Sequence, residues 1–307
     1  MHLLQQLVPM LSVVLFALSV DVLSRLAPQL RDHLPPLLGI PERMAGRLDA
    51  KLNRMERPAA VRATRGIISA ALMIALGIIL GAGLYGLVQV KNVLEAAIWF
   101  LLLRVTAPWT AARAILLSKE KDIATVARNV LDEMPLSLTA GFLTPVFYAA
   151  LAALMHLPAL PVAVAVVTIL EATRVLVTPK KQNQPFVQVF RLLENLVGFV
   201  PSRIVVLFIA LAACFTPRAN PAAALRMAFA QGSKYFQPAR GWPAAAFAGA
   251  LNVALPTGNA AQPWLGPDNA TARIDGAHVR AAIWLHAVTL GIMALVLMAL
   301  MFIGVAA

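Results

Sequence analysis

Length, composition and charge place this chain in a membrane before any motif is considered. Its 307 residues are 60% hydrophobic and 13% charged, with a mean hydropathy of +0.77, whereas soluble globular proteins are roughly 45–50% apolar and about 25% charged. A water-soluble fold could not cover so much apolar surface, which excludes an ordinary cytosolic enzyme, a disordered chain and a coiled coil. The net charge of +12 could indicate nucleic-acid binding, but cations that flank apolar segments are typical of cytoplasmic loops of membrane proteins. We therefore predict a lipid bilayer, and no nucleic acid, as a partner.

The first 65 residues combine an apolar segment with a basic one. Residues 3–20 are apolar and lack a basic flank and a cleavage site, so they predict a retained membrane helix near the lower length limit of roughly 17–25 residues. Residues 21–65 follow as a basic amphipathic cytoplasmic loop with an excess of Lys and Arg over acids. Two interpretations of residues 42–57 stay open: an amphipathic helix on the anionic inner leaflet, or a solvated basic loop that sets orientation. The apolar residues at helical spacing there are Met44, Leu48, Leu52 and Met55.

Several later segments have the length of membrane spans. Residues 66–90 and 283–307 are free of charge and are the clearest spans, whereas charged and proline residues interrupt 93–117. Residues 135–170 also lack charge but are broken by Gly and Pro, which predicts a helical hairpin or a re-entrant element. With 196–215, these segments predict a single all-α, polytopic helical membrane domain with about five to seven membrane segments. Close helix contacts are expected at four small residues in the second span, namely Gly77, Gly81, Gly83 and Gly86.

The distribution of positive charge constrains the topology. If the basic loop is cytoplasmic and every apolar segment crosses once, residues 216–280 fall outside, although this semi-polar functional loop is itself basic. Basic segments prefer the cytoplasmic side. One candidate span should therefore fail to cross, and the segment 135–178, with its broken helices, is the expected one because irregular backbone is tolerated in a membrane only where it lines a protein cavity.

Familiar catalytic signatures are missing, so the candidate chemistry rests on polar residues beside the spans. Glu171 and Arg174 lie three residues apart and share a helix face, which is compatible with a structural ion pair or with a functional carboxylate in a cavity. Asn252 and Asn259 lie in a segment that contains Gly and Pro, where uncharged polar groups either contact a ligand or cap turns.

Residues 241–253 read GWPAAAFAGALNV and resemble the G-W-P-x-x-A-x-A-G-A-L-x-V motif of the CobD/CbiB family. The elements that follow it in the family are similar to residues 256–259 and 263–266, PTGN and PWLG. Upstream, residues 193–203 (LENLVGFVPSR) resemble the family's L-D-D-L-L-N-[YW]-I-P-A-R, and residues 141–147 (GFLTPVF) its G-V-V-A-P-L-F. The order and spacing of these motifs agree over about residues 120–280.

This resemblance implies an inner-membrane, multi-pass adenosylcobinamide-phosphate synthase of cobalamin biosynthesis. Such a ligase joins an aminopropanol-type amine to the free propionate carboxylate of a corrinoid substrate, adenosylcobyric acid, and other membrane proteins of the pathway are possible partners. A carboxylate is a poor electrophile, so ATP is expected to convert it to an acyl phosphate, with Mg²⁺ neutralising the phosphates. The catalytic residues are then expected to be Glu171, Glu194 and Asn195, with both glutamates as metal ligands. Substrate binding is expected at Arg203, Lys234, Gly241, Trp242, Pro243, Asn252 and Asn259.

The chain also departs from the family at several acidic positions. The family's E-S-x-x-E-N-x-x-D-G keeps its first acid as Asp132, but Leu136, Ser137 and Ala140 replace the later polar residues. Two alternatives follow: a divergent enzyme, or a non-catalytic membrane paralogue acting as a scaffold or regulator of the corrinoid pathway. A transporter is a third, because broken helices and buried charges occur there too, although no paired repeat is visible. A divergent enzyme would use Asp132, Glu133, Glu171 and Glu194.

Overall fold

The computed structural model describes residues 2–24, 39–90, 93–117, 124–181, 183–235, 237–257 and 263–306. It is 81% helical with almost no strand, which confirms the predicted all-α architecture. The helices are α1 (His2–Gln5), α2 (Val8–Ser24), α3 (Gly39–Leu52), α4 (Ala59–Val90), α5 (Val93–Leu102), α6 (Ala107–Leu117), α7 (Ala124–Leu138), α8 (Thr144–Leu154), α9 (Ala159–Leu176), α10 (Pro185–Ala213), α11 (Pro221–Gln231), α12 (Pro238–Leu251) and α13 (Gly276–Ala306). A π-helical segment (Thr139–Leu143), a 3₁₀ turn (Gly232–Lys234) and the short strands β1 (Leu255–Pro256) and β2 (Trp264–Leu265) complete the described elements.

Among the described residues, five helical stretches are long and apolar enough to cross a membrane. They are α4, α9, α10, α13 and the continuous stretch of α7, the π segment and α8. Helices α5 and α6 are long and apolar enough to cross a membrane only as a pair, and the angle between them is 54°. Counting this pair as one span gives six candidate spans among the described residues. The 17-residue α2 is a shorter apolar helix. The chain is therefore a multi-pass membrane protein by length and composition.

The break between α5 and α6 has an identifiable cause. A proline lacks the N–H that would bond the carbonyl four residues earlier in a helix, so Pro145 leaves the carbonyl of Gly141 without its helical donor. The backbone N–H of Arg104, in the break, donates to this carbonyl over 3.1 Å. The helix is thus interrupted within 93–117. The segment 135–178, which was expected not to cross the membrane, contains the helical hairpin of α8 and α9, and both helices lie within candidate spans.

The chain divides into two compact units. The first contains residues 1–103, 144–197 and 297–307, and the second contains residues 104–143 and 198–296. Helices α10 and α13 each contribute residues to both units. The segments that carry the family resemblance at residues 241–253 and 263–266 belong to the second unit.

Helix α4 packs closely against α9 in the first unit, and two glycines make this possible. A Cβ at Gly77 would lie 2.7 Å from the Cα of Ala165, and a Cβ at Gly81 would lie 2.6 Å from the Cα of Pro161. The expectation of close contacts is therefore confirmed at these two positions, because only hydrogen fits between the backbones. It is wrong for Gly83 and Gly86, where nothing lies within 4 Å of the added Cβ.

Residues 216–280 of the second unit are not an irregular loop. Asn220 accepts the N–H of Ala223 over 2.9 Å and precedes Pro221, the arrangement that begins a helix. Helix α12 follows the 3₁₀ turn and ends at Asn252, whose left-handed φ of 54° stops the helix. Beyond it, β1 and β2 pair antiparallel, with Leu255 opposite Leu265. The expected functional segment thus contains a helical pair, α11 and α12, which pack on each other.

Asp275 caps the N-terminus of α13, and its removal gives a first prediction. Its Oδ1 accepts the N–H groups of Ala277 and His278 over 2.9 and 3.1 Å. Bonding by His278, first through its backbone N–H, lowers the pKa of Asp275 below its ordinary value. Asp275→Ala is expected to cost about 1 kcal/mol, measured by thermal unfolding in detergent at pH 7. Since a lowered pKa means that the stabilisation exists above the unfolded-state value of about 3.9, this cost should disappear as pH falls through the folded-state pKa.

The control for this prediction is Asp268→Ala. Asp268 is an exposed acid of the same unit and makes no hydrogen bond among the described residues. The substitution Asp268→Ala removes the same charge without removing a helix cap. Equal losses of stability in the two variants would contradict the capping role of Asp275.

Candidate functional site

The structure distributes the expected site residues over both compact units. Glu171, Glu194 and Asn195 belong to the first unit. Asn259 lies outside the described residues. The remaining expected residues belong to the second unit, and they are Arg203, Lys234, Gly241, Trp242, Pro243 and Asn252.

Glu171 has the environment of a structural ion pair. Its side chain is buried near the end of α9, and its Oε2 lies 3.7 Å from Nη1 of Arg174. The same Arg174 nitrogen lies 3.9 Å from Oε1 of Glu42 on α3. One guanidinium therefore lies between two carboxylates of two helices. Of the two interpretations of the Glu171–Arg174 spacing, the ion pair is the arrangement present.

Glu194 and Asn195 lie on the first half of α10. The side chain of Glu194 is 2% exposed, and Asn195 is half-buried. A buried carboxylate in an apolar helix is costly unless it is paired or hydrogen-bonded. Glu194 belongs to the first unit, and the residues of the segment 241–253 belong to the second.

Arg203 is held between two aromatic rings in the second unit. Its guanidinium carbon lies 3.7 Å from the ring centroid of Phe199, one turn earlier on α10, and 4.5 Å from that of Trp242 on α12. Nη1 donates to the backbone carbonyl of Phe199 over 2.6 Å and to Oγ of Ser202 over 3.3 Å. Stacking on aromatic faces orients a guanidinium and lowers the entropy it loses when it binds a ligand.

The remaining donors of Arg203 define what this group can bind. A guanidinium has five N–H groups, and Nε and Nη2 make no hydrogen bond in the described part of the chain. The side chain is half-buried. Arg203 is therefore an oriented cation with a free edge, the geometry that receives a phosphate or carboxylate.

The Gly-Trp-Pro segment forms the start of α12 and packs against the 3₁₀ turn. A Cβ at Gly241 would lie 2.1 Å from the carbonyl oxygen of Gly232, so only glycine fits there. Trp242 makes an edge-to-face contact with Phe229 at 5.3 Å and 86°. Pro243 is buried within the helix. These residues position the indole of Trp242 on Arg203; Asn252, by contrast, serves as the helix end described above.

A second polar group lies where α7 meets the segment before α12. The hydroxyl of Tyr235 donates to Oδ2 of Asp132 over 3.0 Å. Burial raises the pKa of Tyr235 well above its ordinary value, with the nearby charge of Asp132 adding to the effect, so the hydroxyl keeps its proton and remains a donor. The other oxygen of Asp132, Oδ1, is buried and has no hydrogen-bond partner among the described residues. This acceptor is available for a donor of a ligand.

Arg128 and Trp264 extend this polar region towards a cavity. The guanidinium of Arg128, one turn before Asp132 on α7, lies 5.8 Å from the ring of Trp264. Trp264 also lines a cavity of about 360 Å³, together with Gln231, Gly266 and Asp268. Both amide atoms of Gln231 bond the peptide of Gly266, over 3.0 and 2.8 Å. Two hydrogen bonds between α11 and residues 263–266 thus hold this wall of the cavity in place.

Three further polar side chains form a buried chain that is structural. The indole N–H of Trp109 donates to Nδ1 of His286 over 2.9 Å, and Nε2 of His286 lies 2.9 Å from Oγ of Ser137. Because an indole nitrogen only donates, Nδ1 must accept, and Nε2 must carry the ring proton. His286 therefore cannot accept a proton from Ser137 through Nε2, which excludes a serine–histidine nucleophile here.

The residues fit a phosphate-borne Mg²⁺ better than a metal held by protein alone. Among the described residues, no three His, Cys, Asp or Glu side chains come close enough to hold a metal ion. Mg²⁺ carried on nucleotide phosphates needs only one or two protein carboxylates. Oδ1 of Asp132 is a buried acceptor without a donor and suits that role, whereas Glu171 is already paired with Arg174.

Sequence reasoning found Arg203 and Trp242 but missed most of the second polar group. Asp132 could be singled out because it aligns with an acid of the resembling family, and Glu133 beside it is exposed. Tyr235 and Gln237 lie outside the segments that resemble family motifs, and Trp264 lies within one of them, residues 263–266, but was not selected. Their role follows only from their distances to α7.

Comparisons with known proteins find no match for this chain. No protein-family model matches the chain. No curated protein matches it, and no solved structure does so.

Proposed function

We propose that the second unit binds a corrinoid carboxylate and a nucleotide phosphate, and that the chain is an adenosylcobinamide-phosphate synthase-like ligase of cobalamin biosynthesis in a cell inner membrane. The observation that carries this proposal is the stacking of Arg203 on Trp242 at 4.5 Å. Arg203 belongs to the segment 193–203 and Trp242 to the segment 241–253, the two segments with the fullest family resemblance. Two separate motifs thus supply one oriented cation with free donors.

The proposed chemistry assigns each polar group a task that its environment permits. The carboxylate would attack the terminal phosphorus of ATP, which forms the acyl phosphate and releases ADP. The amine, after its ammonium form loses one proton, would then attack the acyl carbon and displace inorganic phosphate to form the amide. Arg203 and the exposed Lys234 would hold the anionic oxygens. Oδ1 of Asp132 would accept a hydrogen bond from the amine or hold Mg²⁺, which when bound neutralises phosphate charge.

The proposal gives the other expected residues supporting roles. Helix α12, which contains the Gly-Trp-Pro segment, would form a wall of the corrin site because Gly241 and Pro243 fix the position of Trp242. The cavity beside Trp264 is lined by the carboxylate of Asp268, a group that would accept hydrogen bonds from corrin side-chain amides. Glu194 stays a candidate for contact with the amine or a metal because its side chain is buried.

A complementation experiment tests this function. The chain is expressed in a strain that lacks its own synthase, and corrinoid-dependent growth without added cobinamide is measured. Wild type is expected to restore growth, and Asp132→Asn is expected to lower the rate of amide formation about 100-fold, the usual effect of removing one charge-stabilising or proton-handling group. Glu56→Gln, which alters an exposed acid of the first unit outside the proposed site, is the control and should leave growth unchanged. Full growth with Glu194→Ala would remove Glu194 from the proposed site.

A second candidate is a non-catalytic scaffold or regulator of the corrinoid pathway. Two residues favour this candidate because their polar groups are already bonded within the protein. Glu171 forms an ion pair with Arg174, and Ser137, which replaces a family polar residue, is hydrogen-bonded to His286. Correct membrane insertion and binding of adenosylcobyric acid without rescue of growth would support the scaffold and overturn the ligase. Rescue by wild type would overturn the scaffold.

A further inference from the structure

The exposed face of α3 carries a continuous row of cations. Arg43, Arg47 and Lys51 follow one another at intervals of four residues, so they share one face of the helix. All three are exposed. None of them forms an ion pair with an acid in the described part of the chain. Arg54, also exposed, extends this row just past the end of α3.

The acids of α3 form ion pairs and hydrogen bonds on the opposite face of the helix. Asp49 accepts a hydrogen bond from Nζ of Lys181 over 2.5 Å and another from the amide of Asn53 over 2.8 Å. Glu42 lies 3.9 Å from Arg174 at the end of α9. Negative charge on the helix is therefore neutralised from within the first unit, and the outward face keeps its positive charge. Glu56, the next acid, lies beyond the helix end.

The position of α3 places this row at the level of a membrane surface. Helix α4 runs antiparallel to α9, because Gly66 approaches Phe186, just after α9, and Gly81 approaches Pro161 at its start. The N-terminus of α4 and the C-terminus of α9 therefore lie at the same end of this unit. Helix α3 packs on both helices at that end, immediately before the charge-free stretch of α4 begins.

We propose that the row Arg43–Arg47–Lys51 is a docking surface for the headgroups of anionic phospholipids, and that it holds α3 on an acidic membrane surface. Three unpaired cations on one face complement a phosphate layer, whereas the paired acids on the other face hold the helix to α9. A cation near an anionic bilayer contributes about 1 kcal/mol, which is roughly a fivefold gain in affinity for each. This surface is independent of the function proposed for the second unit.

The experiment compares lipid retention by variants of the full-length chain. Native mass spectrometry in mixed micelles measures the affinity for phosphatidylglycerol relative to phosphatidylcholine. The test variant is Arg43→Gln/Arg47→Gln/Lys51→Gln, which keeps good helix formers. The matched control is Arg226→Gln/Arg273→Gln/Arg280→Gln, which removes the same charge from exposed positions of the second unit.

The expected result is a preference of wild type for phosphatidylglycerol that falls at least tenfold in the α3 variant and less than twofold in the control. An equal fall in both variants, or no preference in wild type, would overturn the proposal. Wild type also provides a test that needs no variant: raising the salt from about 0.1 to 1 M, where the Debye length falls from about 10 to 3 Å, should remove most of the preference. Persistence of the full preference at high salt would overturn the electrostatic docking surface.

Discussion

Gly241→Ala is expected to lower the free energy of unfolding by about 3 kcal/mol, the upper end of the range for overpacked sites. The added Cβ would lie 2.1 Å from the carbonyl oxygen of Gly232 and 2.4 Å from Cβ of Tyr235. Both neighbours belong to the turn that precedes α12, so relief requires movement of the backbone and separates Tyr235 from Asp132. Thermal unfolding in detergent and resistance to trypsin measure the effect.

The control for this variant is Gly83→Ala on α4. Nothing lies within 4 Å of a Cβ at Gly83, and replacing glycine by alanine inside a helix stabilises it by about 1 kcal/mol. The two substitutions are chemically identical, so opposite signs are expected from packing alone. A Gly241→Ala protein as stable as wild type would show that the close approach of α12 to the 3₁₀ turn is not present in the membrane.

Arg203→Lys is expected to weaken the binding of adenosylcobyric acid about 10- to 100-fold while leaving the fold intact. Lysine keeps the charge but loses the planar group that stacks on Phe199 and Trp242 and the free edge that can form two parallel hydrogen bonds. Hydrogen bonds to charged groups contribute about 1.5–3 kcal/mol each, which corresponds to this loss in affinity. Equilibrium titration of the purified full-length chain with adenosylcobyric acid measures it.

Arg226→Lys is the matched control for Arg203→Lys. Arg226 is an exposed arginine of α11 in the same unit and makes no ring contact or ion pair in the described part of the chain. Its replacement should leave the affinity within about twofold, the scatter expected of surface changes. If both variants bind as wild type does, Arg203 does not contact the ligand, and the motif that contains it serves only to pack α10 on α12.

The candidate site was predictable to different degrees in its two parts. Arg203 and Trp242 could be selected because each lies in a segment that resembles a family motif, and the structure places one on the other. Glu171 was selected as an ionisable residue beside a span, yet it is paired with Arg174, because three-residue spacing on a helix allows an ion pair as readily as a free carboxylate. Residue type and spacing cannot distinguish these outcomes without the neighbours from other helices.

Tyr235 and His286 mark the limit of the sequence signal. Tyr235 donates to Asp132, a residue 103 positions earlier in the chain. His286 bonds Trp109 and Ser137, each more than 140 positions earlier. Hydrogen bonds over such separations depend on how the helices pack, and no local pattern encodes them. The glycines show the same limit: Gly77 and Gly83 read alike in sequence, but only Gly77 meets another helix.

Composition and the long charge-free stretches together determined that this protein is a helical membrane protein, because an unbroken apolar stretch of about 20 residues satisfies its own backbone groups in lipid by forming a helix. The charge-free stretches also fixed the main spans, since about 20 apolar residues match the bilayer thickness. The tertiary structure decided which charges are used and which remain available. The acids of α3 pair with cations of the first unit, whereas its row of cations is exposed. Glu171 pairs with Arg174. Among the described residues, Oδ1 of Asp132 and one edge of Arg203 have no partner. Those assignments depend on distances between helices, and the order of residues along one helix does not contain them.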